Sequence, residues 1–211
     1  MNPTVRTATA HPAQATTAML HRCYYHHSDA PSLWLRPRGR EAPRPRGPEA
    51  VRQARRVGYA SAVSGLEDFA RLVEGDHGLV VVSTLRPDGT IQSSVVNAGV
   101  LPHPVTGAQV VGLVSRGDAQ RLANLRARPL ATVVVRAGWE WASAEGPVEL
   151  AGPDDPMPGV DAERLRLLLR EIFTAAGGTH DDFDAYDRVM AEERRVAVLV
   201  TPERSYSRPR G

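Results

Sequence analysis

Lysine is absent from this chain: all 26 basic residues are arginine, so an arginine where other proteins carry lysine says little by itself. The single cysteine, Cys23, excludes an internal disulfide framework and any cysteine-based zinc site. No apolar run approaches the ~20 residues that span a bilayer, so no membrane partner is expected. Arg55-Arg56 precedes only VGYASAV before Glu67 and Asp68, too weak for a twin-arginine export signal. The expected location is the cytoplasm. Several chemistries also lack their signatures: there is no G-x-S-x-G elbow, G-x-G-x-x-G, P-loop or H-E-x-x-H.

What is present divides unevenly. The 211 residues carry a net charge of +2. Residues 1–57 hold 10 Arg against 3 acids, net +7, whereas residues 58–211 hold 16 Arg against 21 acids, net −5. The basic character therefore belongs to a leader, and the acidic remainder argues against nucleic-acid binding, which needs clustered cations on phosphates. Residues 1–57 show no helical or strand period and alternate Pro with Arg through Leu35–Pro48, a composition that buries no core. The expectation is a disordered leader, or a mis-assigned start with translation beginning near Val51. His21, Cys23, His26 and His27 imitate a metal cluster, but a zinc site needs a rigid turn and usually a second ligand pair far along the chain.

From residue 58 the pattern becomes that of one folded domain. Ser64-x-x-Glu67 reads as a capping box opening a helix with Leu66, Phe69, Ala70 and Val73 on one face. GLVVVSTL and TIQSSVVNAGVL flank Arg86-Pro87-Asp88-Gly89, the chemistry of a hairpin turn. Further strands are expected at 108–115, 130–137, 139–150 and 195–201. A short helix capped by Asp118, one capped by Asp161 and one opened by Thr179 complete the set. Hairpins without a βαβ repeat predict a mainly β, largely antiparallel barrel with helices around it. VVVSTL is apolar on both faces, one side for the core and the other for a second subunit.

Four features could carry chemistry. THDDFDAYD places His180, Asp181 and Asp182 together, which suits a helix start better than a metal site. Trp139 and Trp141 alternate on an expected strand, either as packing or as an aromatic wall for a flat ligand. His103, in a proline-bounded loop, reads as structural or solvated. The stretch SRGDAQRLANLRARP (115–129) holds four arginines. A strand end at Ser115, a turn at Gly117 and then Arg121 and Asn124 at i, i+3 suit phosphate oxygens at a helix start.

Taken in order, VVSTLRPDGTIQSSVV, LVSRGDAQRLANLRARPLATVVV, GWEWASAEGPVEL and the C-terminal AAGGTHDDFDAYDRVMAEERRVAVLVTPERSYS resemble the flavin/deazaflavin oxidoreductases, relatives of pyridoxamine 5′-phosphate oxidase, and above all the branch using the deazaflavin F420. The resemblance spans roughly residues 66–206. It implies an FMN-binding split barrel, a homodimer with two cofactor sites at its interface, and hydride transfer between F420 and a small electron-poor substrate. FMN is the alternative cofactor, and a non-catalytic F420- or haem-binding protein the alternative function. Carried onto this chain, it assigns the phosphate to Ser115, Arg116, Arg121 and Asn124, the ring to Gln92, Ser94 and Val95, and an approach from the other subunit to Trp141. Arg126 and Arg128 are either solvated or reach the F420 tail. Ala119 stands where some relatives carry a second basic residue, and the Arg-x-His pair of pyridoxamine-phosphate oxidases is missing from PERSYSRPRG. No catalytic side chain is assigned.

Overall fold

The computed structural model describes residues 62–75 and 77–208; the leader and the domain boundary expected at residue 57 lie outside them. The described residues form seven strands, β1 (Leu79–Leu85), β2 (Ile91–Pro102), β3 (Gln109–Ser115), β4 (Leu130–Ala137), β5 (Glu140–Ala151), β6 (Val196–Val200) and β7 (Arg204–Arg208), and four helices: α1 (Ala62–Gly75) before β1, α2 (Gln120–Ala127) between β3 and β4, and α3 (Ala162–Ala175) and α4 (Phe183–Glu192) between β5 and β6.

Every strand pairing is antiparallel. The order β4-β1-β2-β3-β6-β5 closes through β4–β5, making a six-stranded ring, and β7 lies along β5. Two twelve-residue strands serve two sheets each. β2 pairs with β1 through Asn97 and with β3 from Ala98 onward. β5 pairs with β7 over Trp141–Glu145 and with β6 over Val148–Ala151. This sharing splits the barrel, and the fold is the split β-barrel expected from the sequence.

Strand period 2 sorts the side chains. Val80, Val82, Val111, Leu113, Val133 and Val135 face one interior cluster, joined by Phe69 and Val73 of α1 and by Leu122 and Leu125 of α2. Outside the second sheet, Leu101, Val110 and Leu199 meet Leu168, Leu169 and Ile172 of α3. β6 is buried on both faces, which explains its unbroken apolar run. The outer face of β1 remains open: Leu79, Val81 and Leu85 are exposed.

Local chemistry departs from expectation in four places. α1 already includes Ala62, so Ser64 lies within the helix and does not cap it. Asp118 does not cap α2; its N-cap is Ala119, without a side-chain bond, and Asp118 meets Arg116 instead. Asp182, not Thr179, caps α4, accepting from Ala185 N at 2.9 Å. Trp139 sits in the Gly138-Trp139 turn ahead of β5, so it does not share a strand face with Trp141. Asp161 caps α3 as expected, accepting from Arg164 N at 2.7 Å. β7 was not foreseen, because RSYSR carries no apolar alternation.

Asp187 of α4 takes Arg170 and Arg166 of α3 together, and these guanidinium groups, Arg170 foremost, hold its carboxyl below the usual carboxylate range. A depressed folded pKa means the stabilisation is complete above the unfolded value near ~4 and is lost as pH falls through the lower folded value. Asp187→Asn is accordingly expected to lower the urea midpoint at neutral pH, and its difference from wild type is expected to shrink as pH falls through the lowered folded value.

Candidate functional site

α2 lies between the ends of β3 and β4 and closes one end of the barrel with Leu122 and Leu125. That seating carries Asn124 inward, to 0% exposure. Its Nδ2 donates to Gln92 Oε1 at 2.8 Å and to Thr84 Oγ1 at 3.0 Å, while its Oδ1 accepts from Gln120 Nε2 at 3.2 Å. Both amide hydrogens are thereby used, so Asn124 acts on the site by fixing Gln92 and α2. Neither Thr84 nor Gln120 belongs to a motif in the sequence. The only signal was period: Thr84 shares the inward face with Val80 and Val82.

The strand period divides the three residues assigned to a ring. Gln92 and Ser94 share the inward, half-buried face of β2, whereas Val95 points outward and is 65% exposed. At the end of β3, Ser115 is 1% exposed and its Oγ has no hydrogen-bond partner among the described residues. Arg116 follows it, half-buried, with Nη2 3.3 Å from Asp118 Oδ2. Arg121 is half-buried on α2. The turn between them is bolted down: Gly117 N donates to Glu193 O at 3.2 Å, and a Cβ on Gly117 would meet Arg194 O at 2.7 Å. Ala119 N donates to Arg116 O. These two backbone donors point at carbonyls and not at a shared ligand point.

Arg126 and Arg128 have partners within the chain. Arg126 is bidentate on Asp155, at 2.9 and 2.8 Å, and that carboxylate raises its pKa. Arg128 donates to Arg86 O at 2.6 Å and Pro87 O at 3.2 Å, clamping α2 to the β1–β2 turn.

Beside this end runs the open outer face of β2, β1 and β4. Val95, Val81 and Val134 form one row and Ile91 with Leu85 another. A groove of about 260 Å³ lined by Leu85, Ile91, Leu130, Thr132 and Arg204 crosses it. Trp141 is 37% exposed, paired with Arg136 and Arg208. It lies three strand spacings across from Gln92, ~14 Å at ~4.8 Å each, and a further five residues along β5 from Gly146, the position in register with Gln92, so one chain alone does not bring it to the site.

The remaining candidates are structural. His103 Nδ1 accepts from Val105 N and Thr106 N, both at 3.2 Å, shaping the turn after β2, and Nε2 lies 3.1 Å from Glu149 Oε2. His180 Nδ1 accepts from Asp182 N at 3.0 Å, and its ring lies 5.9 Å from that of Tyr186. Among the described residues no three His, Cys, Asp or Glu side chains gather. No described helix is long and apolar enough to cross a membrane.

No family model matches the sequence. Similar solved structures include a conserved hypothetical protein from Mycobacterium tuberculosis, 19% identical over 72% of this chain and 87% of that one, with a TM-score of 0.49. A pyridoxamine 5′-phosphate oxidase-related, FMN binding protein from Nostoc punctiforme is 11% identical over 69% and 83%, TM-score 0.49. An F420 reductase is 18% identical over 60% and 87%, TM-score 0.42. By its own strand pairing, with β2 and β5 each shared between two sheets, the chain is a split β-barrel.

Proposed function

We propose that this protein is a homodimeric F420-dependent oxidoreductase that moves a hydride between the deazaflavin and a small electron-poor substrate. The observation that carries the reading is the buried Ser115 hydroxyl, without a partner among the described residues, placed next to Arg116 and below the helix that bears Arg121. A phosphate fits this donor set: a hydroxyl can donate to one oxygen while guanidinium groups supply charge-assisted bonds to others. When bound, the cofactor supplies the hydride chemistry. The chain's own part is binding, orientation and exclusion of water. Ser115, Arg116 and Arg121 hold the phosphate, and Asn124 keeps α2 and Gln92 in register. Gln92 and Ser94 offer polar groups toward the ring, while the apolar outer face of β1 and β2 takes a second copy. That copy's Trp141 closes the site.

Titrating the full chain separately with F420 and FMN by fluorescence tests the cofactor; tighter binding of FMN overturns the F420 assignment. Arg121→Glu is expected to weaken either cofactor about a hundredfold, since it removes a charge-assisted bond worth ~1.5–3 kcal/mol and adds a repulsion. Unchanged affinity in that variant places the anchor elsewhere. Val95→Glu, which puts a charge on the open sheet face, is expected to give monomers by light scattering and to lose cofactor affinity with them. A Val95→Glu protein that remains dimeric removes this face as the interface.

A further inference from the structure

On the far side of the barrel wall, a cavity of about 620 Å³ opens between the loop after β5, α3 and α4. Nothing in the flavin reading uses it. Its floor and walls are apolar: Met157 and Leu169 are buried, and Val160, Leu165 and Met190 are half-buried around them. The size falls within the range of about 300–1,000 Å³ typical of small-molecule sites.

The walls are preformed. The loop is closed on itself by Gly152 N to Asp155 O at 3.0 Å and by Asp155 N to Gly152 O at 3.1 Å, with a second bridge between Met157 and Val160. Arg126 of α2 holds Asp155, and Arg194 holds Asp154. Arg166 and Arg170 fasten α3 to α4 through Asp187. These bridges and ion pairs tie the loop, α3 and α4 together around the space.

Charge decides the class of occupant. Three carboxylates (Asp155, Asp161, Asp187) and three guanidinium groups (Arg166, Arg188, Arg195) border the cavity, so it carries no net charge. Asp155 and Asp187 are neutralised by arginines, Asp161 accepts from Arg164 N, and Arg195 is paired with Glu193. Of the six, Arg188 and Asp161 are exposed at the rim, where solvent screens them; any other ionic contact would break one of these pairs, whereas an uncharged ligand gains the apolar walls at no such cost. Two thioethers add an adaptable, polarizable lining. We propose that this cavity is a second binding site, for a neutral and predominantly apolar small molecule such as an uncharged ring system or short isoprenoid.

The test uses N-phenyl-1-naphthylamine, an uncharged apolar fluorophore, titrated into the full chain. Saturable binding with one site per chain is expected. Ala162→Phe/Ala191→Phe fills the cavity from two exposed helix positions and is expected to lower affinity about tenfold or more while the far-ultraviolet spectrum stays that of wild type. Ile91→Glu, on the open sheet face, is expected to leave it unchanged. No saturable binding, undiminished affinity in the filled variant, or loss of binding in Ile91→Glu would each overturn the proposal. A charged analogue carrying a sulfonate on the naphthalene is expected to bind more weakly at this site, and tighter binding of that analogue also overturns it.

Discussion

Replacing Gly146 with alanine is expected to abolish cooperative unfolding of the protein, or to lower its Tm by at least ~10 °C. Gly146 lies where β5 passes from one sheet to the other. After β6 the chain crosses over it: Thr201 N donates to Pro147 O and Glu203 N donates to Glu145 O, both at 2.9 Å. The crossing is therefore bonded on either side of Gly146, and its backbone rests on the glycine Cα. A Cβ there overlaps the Thr201 carbonyl oxygen and lies 3.0 Å from the Thr201 carbonyl carbon and 3.1 Å from Glu203 N. All three are backbone atoms, so relief requires lifting the crossing and breaking its two hydrogen bonds. Overpacking that no side chain can absorb belongs to the class of substitutions costing more than ~4 kcal/mol. Gly75→Ala is the matching control: a Cβ there meets nothing within 4 Å, and at the end of α1 it is expected to be neutral or stabilising by ~0.4–1 kcal/mol. A Gly146→Ala protein within about 1 kcal/mol of wild type in urea would show that β5 and the crossing separate at little cost.

The contrast between the two glycines shows how much of the fold was legible in the sequence. A glycine inside AEGPVEL signals a close backbone approach, but which backbone approaches depends on β7, and β7 left no signal in RSYSR. The strands β1 to β6 were legible because each buries at least one face, and period 2 records burial. β7 pairs only with β5, at a sheet edge, where pairing is satisfied by backbone and no apolar alternation is required. Helix starts were legible where a carboxylate caps without competition, as at Asp161. The other two starts differ for opposite reasons: Thr179 is followed by Asp182, which caps α4 in its place, whereas Asp118 is drawn away to Arg116 and leaves α2 without a side-chain cap. At the site, the order Ser115, Gly117, Arg121, Asn124 was visible, but the partners were not. Asn124 looks outward in a helical projection shared with Arg121, yet it bonds Thr84, forty residues earlier. Arg126 and Arg128 likewise look like a basic patch until Asp155 and the Arg86 carbonyl are placed beside them. Long-range pairing of polar groups has no period, and so no sequence pattern announces it.

Asn124 is where stability and function meet, and Asn124→Ala is expected to cost about 2–4 kcal/mol. The substitution removes two donated hydrogen bonds and one accepted bond around a fully buried amide, and leaves the buried Thr84 Oγ1 facing a small void. Buried groups left unpaired cost ~1–3 kcal/mol each when nothing replaces the partner. Gln92→Ala should cost less, because Gln92 is half-buried and Asn124 keeps Thr84. The double variant separates a shared bond from two independent packing losses: a coupling of about 0.5–3 kcal/mol is expected for residues in one network, and additivity within ~0.3 kcal/mol would show that the 2.8 Å contact contributes nothing. Cofactor affinity supplies the second readout. In the proposed site Asn124 would reach a phosphate only through the seating of α2, so Asn124→Ala should weaken F420 or FMN less than Arg121→Glu does, even though it destabilises the protein more. If the order of affinities were reversed, Asn124 would contact the phosphate directly, and its bonds to Thr84 and Gln92 would have to open when the ligand binds.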